Sequence, residues 1–392
     1  MIMRVGLFTD AFFPVIDGVV KVTDAYASHL AGKCDVTVFT PYTRHLEPGY
    51  DSRFPYKVVR CKSIMRATDA YPQGFPHFDA DFVRRVKEAR LDIIHVHSAY
   101  PMGVFAKTFS RRHDIPMVGT LHSDFKPDVI EHVGKLAGAA VLKIMMGVYN
   151  SCDECWIASR AAGDMFCREY GLKAPWRMMP LSVDHTPVED RAAARAEIDA
   201  LYGLCEDDFV LTHVGRQDLQ KREDFILRSL AILKDMNVDF KMLLVGTGVK
   251  QDYLKGLSHQ LGLDRNVIFC GPIGDPKLLA KHYARTDLLL FASVSDTFGL
   301  VKLEAACQQT PTLCTRGSLA ADGMTDNVNG FTEEDSEEAF AKRIRSLKEN
   351  PDLLRRCGEG AFRDFYSTWD SLADDVYANY QRIIDNHNKS RQ

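Results

Sequence analysis

Short apolar runs recur along this chain, and stretches with apolar positions three and four residues apart lie between many of them. The clearest run is Leu288–Ala292, continuous and bounded by polar residues, as in a parallel strand buried on both faces. Arg4–Thr9, Asp35–Thr40, Leu91–His97, Met117–Leu121 and Cys155–Ala158 read the same way in the first half, with Lys57–Arg60 beside them. In the second half the strands are Phe209–Val214, Lys241–Val245, Val267–Cys270 and Pro311–Thr315. Helical spacing covers Val19–Ala31, Phe82–Ala89, Lys126–Asn150, Ala161–Tyr170, Glu223–Lys234, Leu300–Cys307, 336–349, 352–365 and Trp369–Asn388. Parallel strands need helical crossovers, so this alternation predicts an α/β protein. A chain of 392 residues exceeds one compact core, and the pattern restarts after residue 205, so two doubly wound, Rossmann-like domains are expected.

Composition narrows the class. The hydrophobic share of 46% and charged share of 26% are those of a soluble globular protein. No segment approaches the roughly 18–20 apolar residues of a membrane span. The N-terminus reads as a first strand, because Asp10 and Pro14 interrupt the apolar region that a signal peptide needs. The ten cysteines are scattered; Cys152 and Cys155 form a C-x-x-C with no second pair for zinc, so they read as reduced thiols. The net charge of −4 conceals an asymmetry: residues 1–183 carry 23 basic and 19 acidic side chains, the remainder 26 and 34. A basic first half on an acidic protein suits a domain that meets an anionic surface.

The chemistry gathers at strand ends. After Leu288–Ala292 comes a polar turn, Ser293–Thr297, in which Ser295, Asp296 or Thr297 could cap the helix Leu300–Cys307. Gly299 admits close backbone approach, and the bare N–H groups of the helix start make an anion site. Two carboxylates flank it, Asp296 and Glu304. They cannot serve a phosphate and suit hydroxyls of a ribose or sugar ring. Phe209–Val214 ends in Gly215-Arg216, with Lys221 at the next helix mouth, a pair of cations fitted to a diphosphate. Met117–Leu121 delivers His122 at its carboxyl end, and His95 and His97 share one side of their strand. Asp79-Ala-Asp81 stands at a helix start, where Asp is a favoured cap, and is read as that rather than as a metal motif. Gly246-Thr-Gly248 is weak evidence for a dinucleotide site. The apolar stretch Leu136–Val148, near Lys135 and Lys143, fits a core helix or a surface that dips into a membrane.

Ser-Asp-Thr-Phe-Gly-Leu-Val-Lys-Leu-Glu-Ala, from Ser295, resembles the E-x7-E signature of retaining glycosyltransferases with the GT-B fold, with Asp296 for the usual first Glu and Gln308-Gln309 where a Gly usually ends the helix. Gly215–Arg222 resembles the family's Gly-Arg-Leu-x-x-x-Lys-Gly, with Arg222 in the last place. The resemblance spans nearly the whole chain and is strongest over 205–335. It implies two Rossmann-like domains facing a cleft: 1–183 on the acceptor side, joined by the C-terminal helix 369–388, and 184–368 for the nucleotide sugar. It implies transfer of a hexose from a nucleotide-diphosphate sugar with retention, without metal or cofactor, by a front-face displacement. Arg216, Lys221 and the helix start at Phe298, Gly299, Leu300 and Val301 would hold the diphosphate, Glu304 the ribose, and Asp296 and His122 the sugar. Gly18 would face the phosphates and the loop at Ile273 the nucleobase. The opening Gly6-Leu-Phe-Thr-Asp-Ala-Phe-Phe-Pro looks most like bacterial diacylglycerol glucosyltransferases. That implies UDP-glucose as donor, a lipid acceptor, no nucleic acid, and a peripheral place on an anionic membrane at the cytoplasmic face. A GDP-mannose donor, a soluble or polysaccharide acceptor, a nucleotide-sugar epimerase and a non-catalytic nucleotide-sugar sensor are the alternatives.

Overall fold

The computed structural model describes the chain apart from Met1, Ile16, His45, residues 65–70, Leu219, Ser295, residues 391–392 and the side chains of Asp128, Glu131 and His132. It divides into two compact units, Met1–Leu181 with Thr368–Gln392, and Ser182–Ser367.

The first unit runs β1 (Arg4–Phe8), α1 (Gly18–Leu30), β2 (Asp35–Pro41), β3 (Lys57–Cys61), a short antiparallel pair β4 (Ser63–Ile64) and β5 (Gln73–Gly74), α2 (Ala80–Glu88), β6 (Ile93–Val96), α3 (Pro101–His113), β7 (Met117–Leu121), α4 (Lys126–Tyr149), β8 (Glu154–Ile157), α5 (Arg160–Tyr170) and β9 (Trp176–Met178). Its parallel sheet has the order β3-β2-β1-β6-β7-β8-β9. Asp17, Asp79 and Ser159 cap α1, α2 and α5 with their side chains. Asp79 also accepts from the Lys62 N–H at 2.8 Å, and Asp81 pairs with Arg84 at 2.5 Å, so both carboxylates of the Asp-Ala-Asp motif serve the helix start. One departure from expectation is α4, which breaks at Gly134 (φ 77°, ψ 166°). Beyond the break the helix buries Met145, Met146, Val148 and Tyr149 but leaves Leu136 93% and Ile144 58% exposed.

The core of this unit is aromatic. Trp156 of β8 stacks on Tyr380 of the C-terminal helix Trp369–Lys389, with ring centroids 5.2 Å apart. The Tyr380 hydroxyl lies 2.6 Å from His95 Nδ1, and Thr120 Oγ1 lies 2.6 Å from Nε2. Arg382 of the same helix reaches Glu154 at 2.7 Å. At the end of β1 the Asp10 carboxylate accepts from the Met102 N–H at 2.9 Å and the Ser98 hydroxyl at 2.7 Å, joining the loop after β1 to the start of α3.

The second unit runs α6 (Arg191–Tyr202), β10 (Val210–Val214), α7 (Glu223–Asp235), β11 (Lys241–Val245), α8 (Gln251–Gln260), β12 (Val267–Gly271), α9 (Pro276–Arg285), β13 (Leu288–Phe291), α10 (Leu300–Cys307), β14 (Thr312–Thr315), β15 (Phe331–Glu333), α11 (Glu337–Lys348) and α12 (Pro351–Phe365). Its sheet has the order β12-β11-β10-β13-β14-β15, again parallel. The chain builds outward from β10 to β12, then returns to lay β13 beside β10. This reversal of strand order is where open α/β sheets hold ligands. Helices α3, α6, α8 and α9 and the edge strands β9 and β15 are not among the elements expected from the sequence; α6, α8 and the two strands bury few residues, whereas α9 buries a polar set that includes His282 and Arg285. Arg285 at the end of α9 is fully buried and satisfied by Asp199, Asp287 and the carbonyls of Cys205 and Asp208.

The buried histidines make the first unit sensitive to acid. Burial holds His95 and His97 well below the usual imidazole range, so both are neutral in the fold. In the unfolded chain they charge below about pH 6.5. Their stabilisation is therefore present above that pH and lost below it, at up to about 1.4 kcal/mol per pH unit for each. Asp10, pushed up to about 6 by burial, acts with the opposite sign, gaining stability as pH falls through that value. Two histidines outweigh one carboxyl. All three tryptophans, Trp156, Trp176 and Trp369, lie in this unit. Urea titrations followed by tryptophan fluorescence should show the midpoint falling between pH 6.5 and 5; a midpoint flat in pH contradicts this account.

Candidate active site

In the second unit the loop after β10 carries both predicted cations. Lys221 Nζ lies 2.6 and 2.7 Å from the two carboxylate oxygens of Asp296, which sits in the loop after β13. Each side chain of this pair is 23% exposed. Arg216 is the outer cation; its Nε donates to Asp218 at 2.6 Å and its side chain is 58% exposed. Two further bonds fasten the two loops: Ser293 Oγ donates to the Gln220 carbonyl at 3.2 Å, and Arg222 donates to the Ala292 carbonyl at 3.4 Å. Arg222 also pairs with Asp335, after β15, at 2.6 Å. Arg222 has φ 60°, the left-handed conformation that a glycine would adopt without strain, and its side-chain contacts offset that cost.

The loop after β11 closes on the same place. The Gln217 N–H donates to the Thr247 carbonyl at 3.0 Å, and the Lys250 N–H donates to the Gln217 carbonyl at 3.1 Å. A Cβ at Gly246 would lie 1.9 Å from the Gly215 carbonyl oxygen, and one at Gly248 2.2 Å from that of Gln217. The Gly-Thr-Gly sequence is thereby accounted for by backbone packing against the Arg216 loop.

At α10 the capping expectation fails. Neither Asp296 nor Thr297 caps the helix, and Ser295 lies outside the described residues. The cap position is Gly299, at φ 74°. A Cβ there would lie 2.6 Å from the Phe291 ring, so only glycine brings the Leu300 and Val301 N–H groups to this spot. Asp296 turns to Lys221 instead of the helix because a cation competes better than a backbone amide. Glu304 is 5% exposed and accepts from the Tyr283 hydroxyl at 2.7 Å; His185 Nε2 lies 3.5 Å from its other oxygen. Nothing in the sequence marks Tyr283 or His185: one lies on a helix not read from the sequence, the other in the expected linker. Lys302 is 2% exposed. Its Nζ donates to the Ala320 carbonyl at 2.7 Å and lies 5.2 Å from the Phe298 ring centre, joining α10 to the loop after β14. The Ile273 side chain packs into the cluster of Val245, Leu279, Tyr283, Leu289 and Ala305, which anchors the loop after β12.

In the first unit His122 follows β7 directly. Its Nε2 lies 3.0 Å from His97 Nδ1, and burial pushes its pKa down to about 4, so it is neutral at physiological pH. Gly18 is the exposed first residue of α1, beside the Asp17 cap. Among the described residues no three His, Cys, Asp or Glu side chains are grouped to hold a metal ion.

Two family models cover most of the chain. Residues 16–186 match Glycosyltransferase Family 4, and residues 194–364 match Glycosyl transferases group 1. Both halves of the chain thus match glycosyltransferase models, and the chain is a glycosyltransferase. It is similar to the alpha-monoglucosyldiacylglycerol synthases of Acholeplasma laidlawii, 24% identical over 99% of both chains, and of Streptococcus pneumoniae, 23% identical over 90% of this chain and 80% of that one. The D-inositol 3-phosphate glycosyltransferase of Streptomyces coelicolor is 32% identical over 50% of this chain and 46% of its own. Among solved structures, Anabaena HepE in complex with UDP and glucose aligns with a TM-score of 0.77, at 17% identity over 97% of this chain and 99% of that one. Sucrose-phosphate synthase from Thermosynechococcus elongatus aligns at 0.76, with 19% identity over 98% and 100%. The fold of this glycosyltransferase is therefore GT-B, with two Rossmann-like domains.

Tyr283→Phe isolates the support of Glu304. It keeps the buried ring and leaves one buried carboxylate oxygen without its hydroxyl donor, so a loss of about 1–3 kcal/mol is expected. Urea unfolding compared with wild type measures it; unchanged stability would show that the Glu304 oxygen finds another donor.

Proposed function

We propose that this glycosyltransferase moves glucose from UDP-glucose to a hydroxyl of a membrane lipid such as diacylglycerol, with retention and without a bound metal. The observation that carries the donor half is the contact between Lys221 and Asp296. The sugar and the diphosphate are joined through one anomeric C–O bond. The group that neutralises the leaving phosphate and the group that grips the sugar hydroxyls must therefore lie a few ångströms apart. Lys221 and Asp296 stand in that relation, beside the N–H groups of Leu300 and Val301. Arg216, mostly exposed, is placed to fork two phosphate oxygens, and these cations supply the charge that a metal would otherwise bring. Glu304 takes the ribose, the loop at Ile273 the base, Gly18 the phosphates and His122 the sugar. In the front-face reaction the acceptor oxygen bonds to the anomeric carbon from the side the phosphate leaves. The C–O bond to phosphate breaks, and the acceptor proton passes to a phosphate oxygen.

Support for the acceptor half comes from the two full-length relatives named as diacylglycerol glucosylating enzymes and from the first unit's surface. Leu136 and Ile144 on α4, with Val133 before its break, are exposed apolar residues with Lys135 and Lys143 exposed among them. Apolar residues among cations suit the surface of an anionic bilayer, at about 1 kcal/mol per cation. No described helix is long and apolar enough to cross a membrane, so the contact proposed is peripheral.

Two measurements test these halves separately. Arg216→Ala or Lys221→Ala should lower turnover by about two orders of magnitude, because the lost contact strengthens as the leaving group gains charge; near-normal turnover in a folded double variant sinks the donor assignment. In sedimentation with liposomes, binding should rise with anionic lipid content and fall with salt. Protein that stays in the supernatant with anionic vesicles at low salt removes the membrane reading.

A further inference from the structure

His122 is held by a second histidine, and the geometry decides which of its nitrogens carries the proton. His97 Nδ1 and His122 Nε2 are 3.0 Å apart, with the rings stacked at an interplanar angle of 14°. A hydrogen bond between two ring nitrogens contains one proton. Burial keeps both imidazoles neutral, so each ring has a single N–H. If His122 were the donor, His97 would have to carry its proton on Nε2. That nitrogen is buried and meets no hydrogen-bond partner. An orphaned buried N–H is the rarer and costlier outcome than a bare lone pair. The His97 proton therefore belongs on Nδ1, donating to His122 Nε2.

His97 is itself immobile. It is 2% exposed, the His95 ring lies 4.1 Å away, and the Tyr26 ring meets it edge-on at 5.3 Å. His95 is in turn fixed from both sides by Tyr380 and Thr120.

We propose that His97 is a positioning residue that fixes His122 as its Nδ1–H tautomer, so that the other nitrogen of His122 presents a hydrogen-bond donor. A donor of this kind suits the oxygen of a sugar hydroxyl and cannot act as a base. The consequence for the donor sugar rests on the reading of His122 given above; the tautomer does not.

Long-range ¹H–¹⁵N correlation spectra of the full-length chain, with His122 assigned by the resonance lost in His122→Gln, report the tautomer directly. The expected result is a protonated Nδ1 and a bare Nε2 on His122; the reverse tautomer in wild type overturns the proposal, whether or not any variant folds. His97→Phe keeps a buried ring and removes the donor, and should give a mixed tautomer with a rise of about fivefold in KM for the nucleotide sugar and a smaller change in kcat. His97→Asn, whose amide places an N–H near the lost Nδ1, should restore both. An unchanged tautomer in His97→Phe also overturns the proposal. A shifted tautomer with unchanged KM upholds the positioning and removes His122 from the sugar.

Discussion

A parallel sheet covered by helices on both faces leaves few places for chemistry. Leu288–Phe291 and Leu211–His213 are buried, so side chains there are committed to packing. The loops at the strand ends are where polar groups can reach a ligand. In the second unit the return of the chain from β12 to β13 parts the loops after β10 and β13 into neighbours across a crevice, and each brings one member of the Lys221–Asp296 pair. The pairing of residues 75 positions apart is thus a product of strand order.

The site mixes signs in a small space, and each charge has a partner of its own. Lys221 neutralises Asp296, Arg216 leans on Asp218, and Glu304 is held by Tyr283 and His185. Lys302 is buried deeply enough for its pKa to fall, yet it keeps two carbonyls and two aromatic rings around it. Buried charge is costly unless bonded in this way. The arrangement leaves Arg216 as a cation of the site that remains mostly in contact with solvent.

The core of the first unit is built on aromatic rings and neutral histidines. Among its polar core groups, His95 is bonded on one side to Tyr380 and on the other to Thr120, while His97 bonds to His122. The C-terminal helix supplies Tyr380, so this core is completed by residues far along the chain from the strands it covers. Helix α4, broken at Gly134, is divided: its last turns bury Met145, Met146 and Val148, while Leu136 and Ile144 face solvent.

The sequence by itself determined the alternation of strands and helices, because parallel strands buried on both faces must be uniformly apolar and their crossovers must be amphipathic. It also marked Arg216, Lys221, Asp296, Gly299 and Glu304, since charged residues and glycine at strand ends have few other reasons to be there. It could not show that Asp296 faces Lys221 instead of capping α10, because a carboxylate's choice between a local amide and a distant cation depends on where the other loop lies. Tyr283 and His185 were silent for a similar reason, and His97 was marked only as sharing a strand side with His95: a tyrosine or histidine among apolar residues looks like core. Gly246 and Gly248 read as a weak ligand motif until the Arg216 loop was seen pressed against them. Local pattern is written in spacing along one segment, and these contacts are set by strand order between segments, which only the tertiary structure decided.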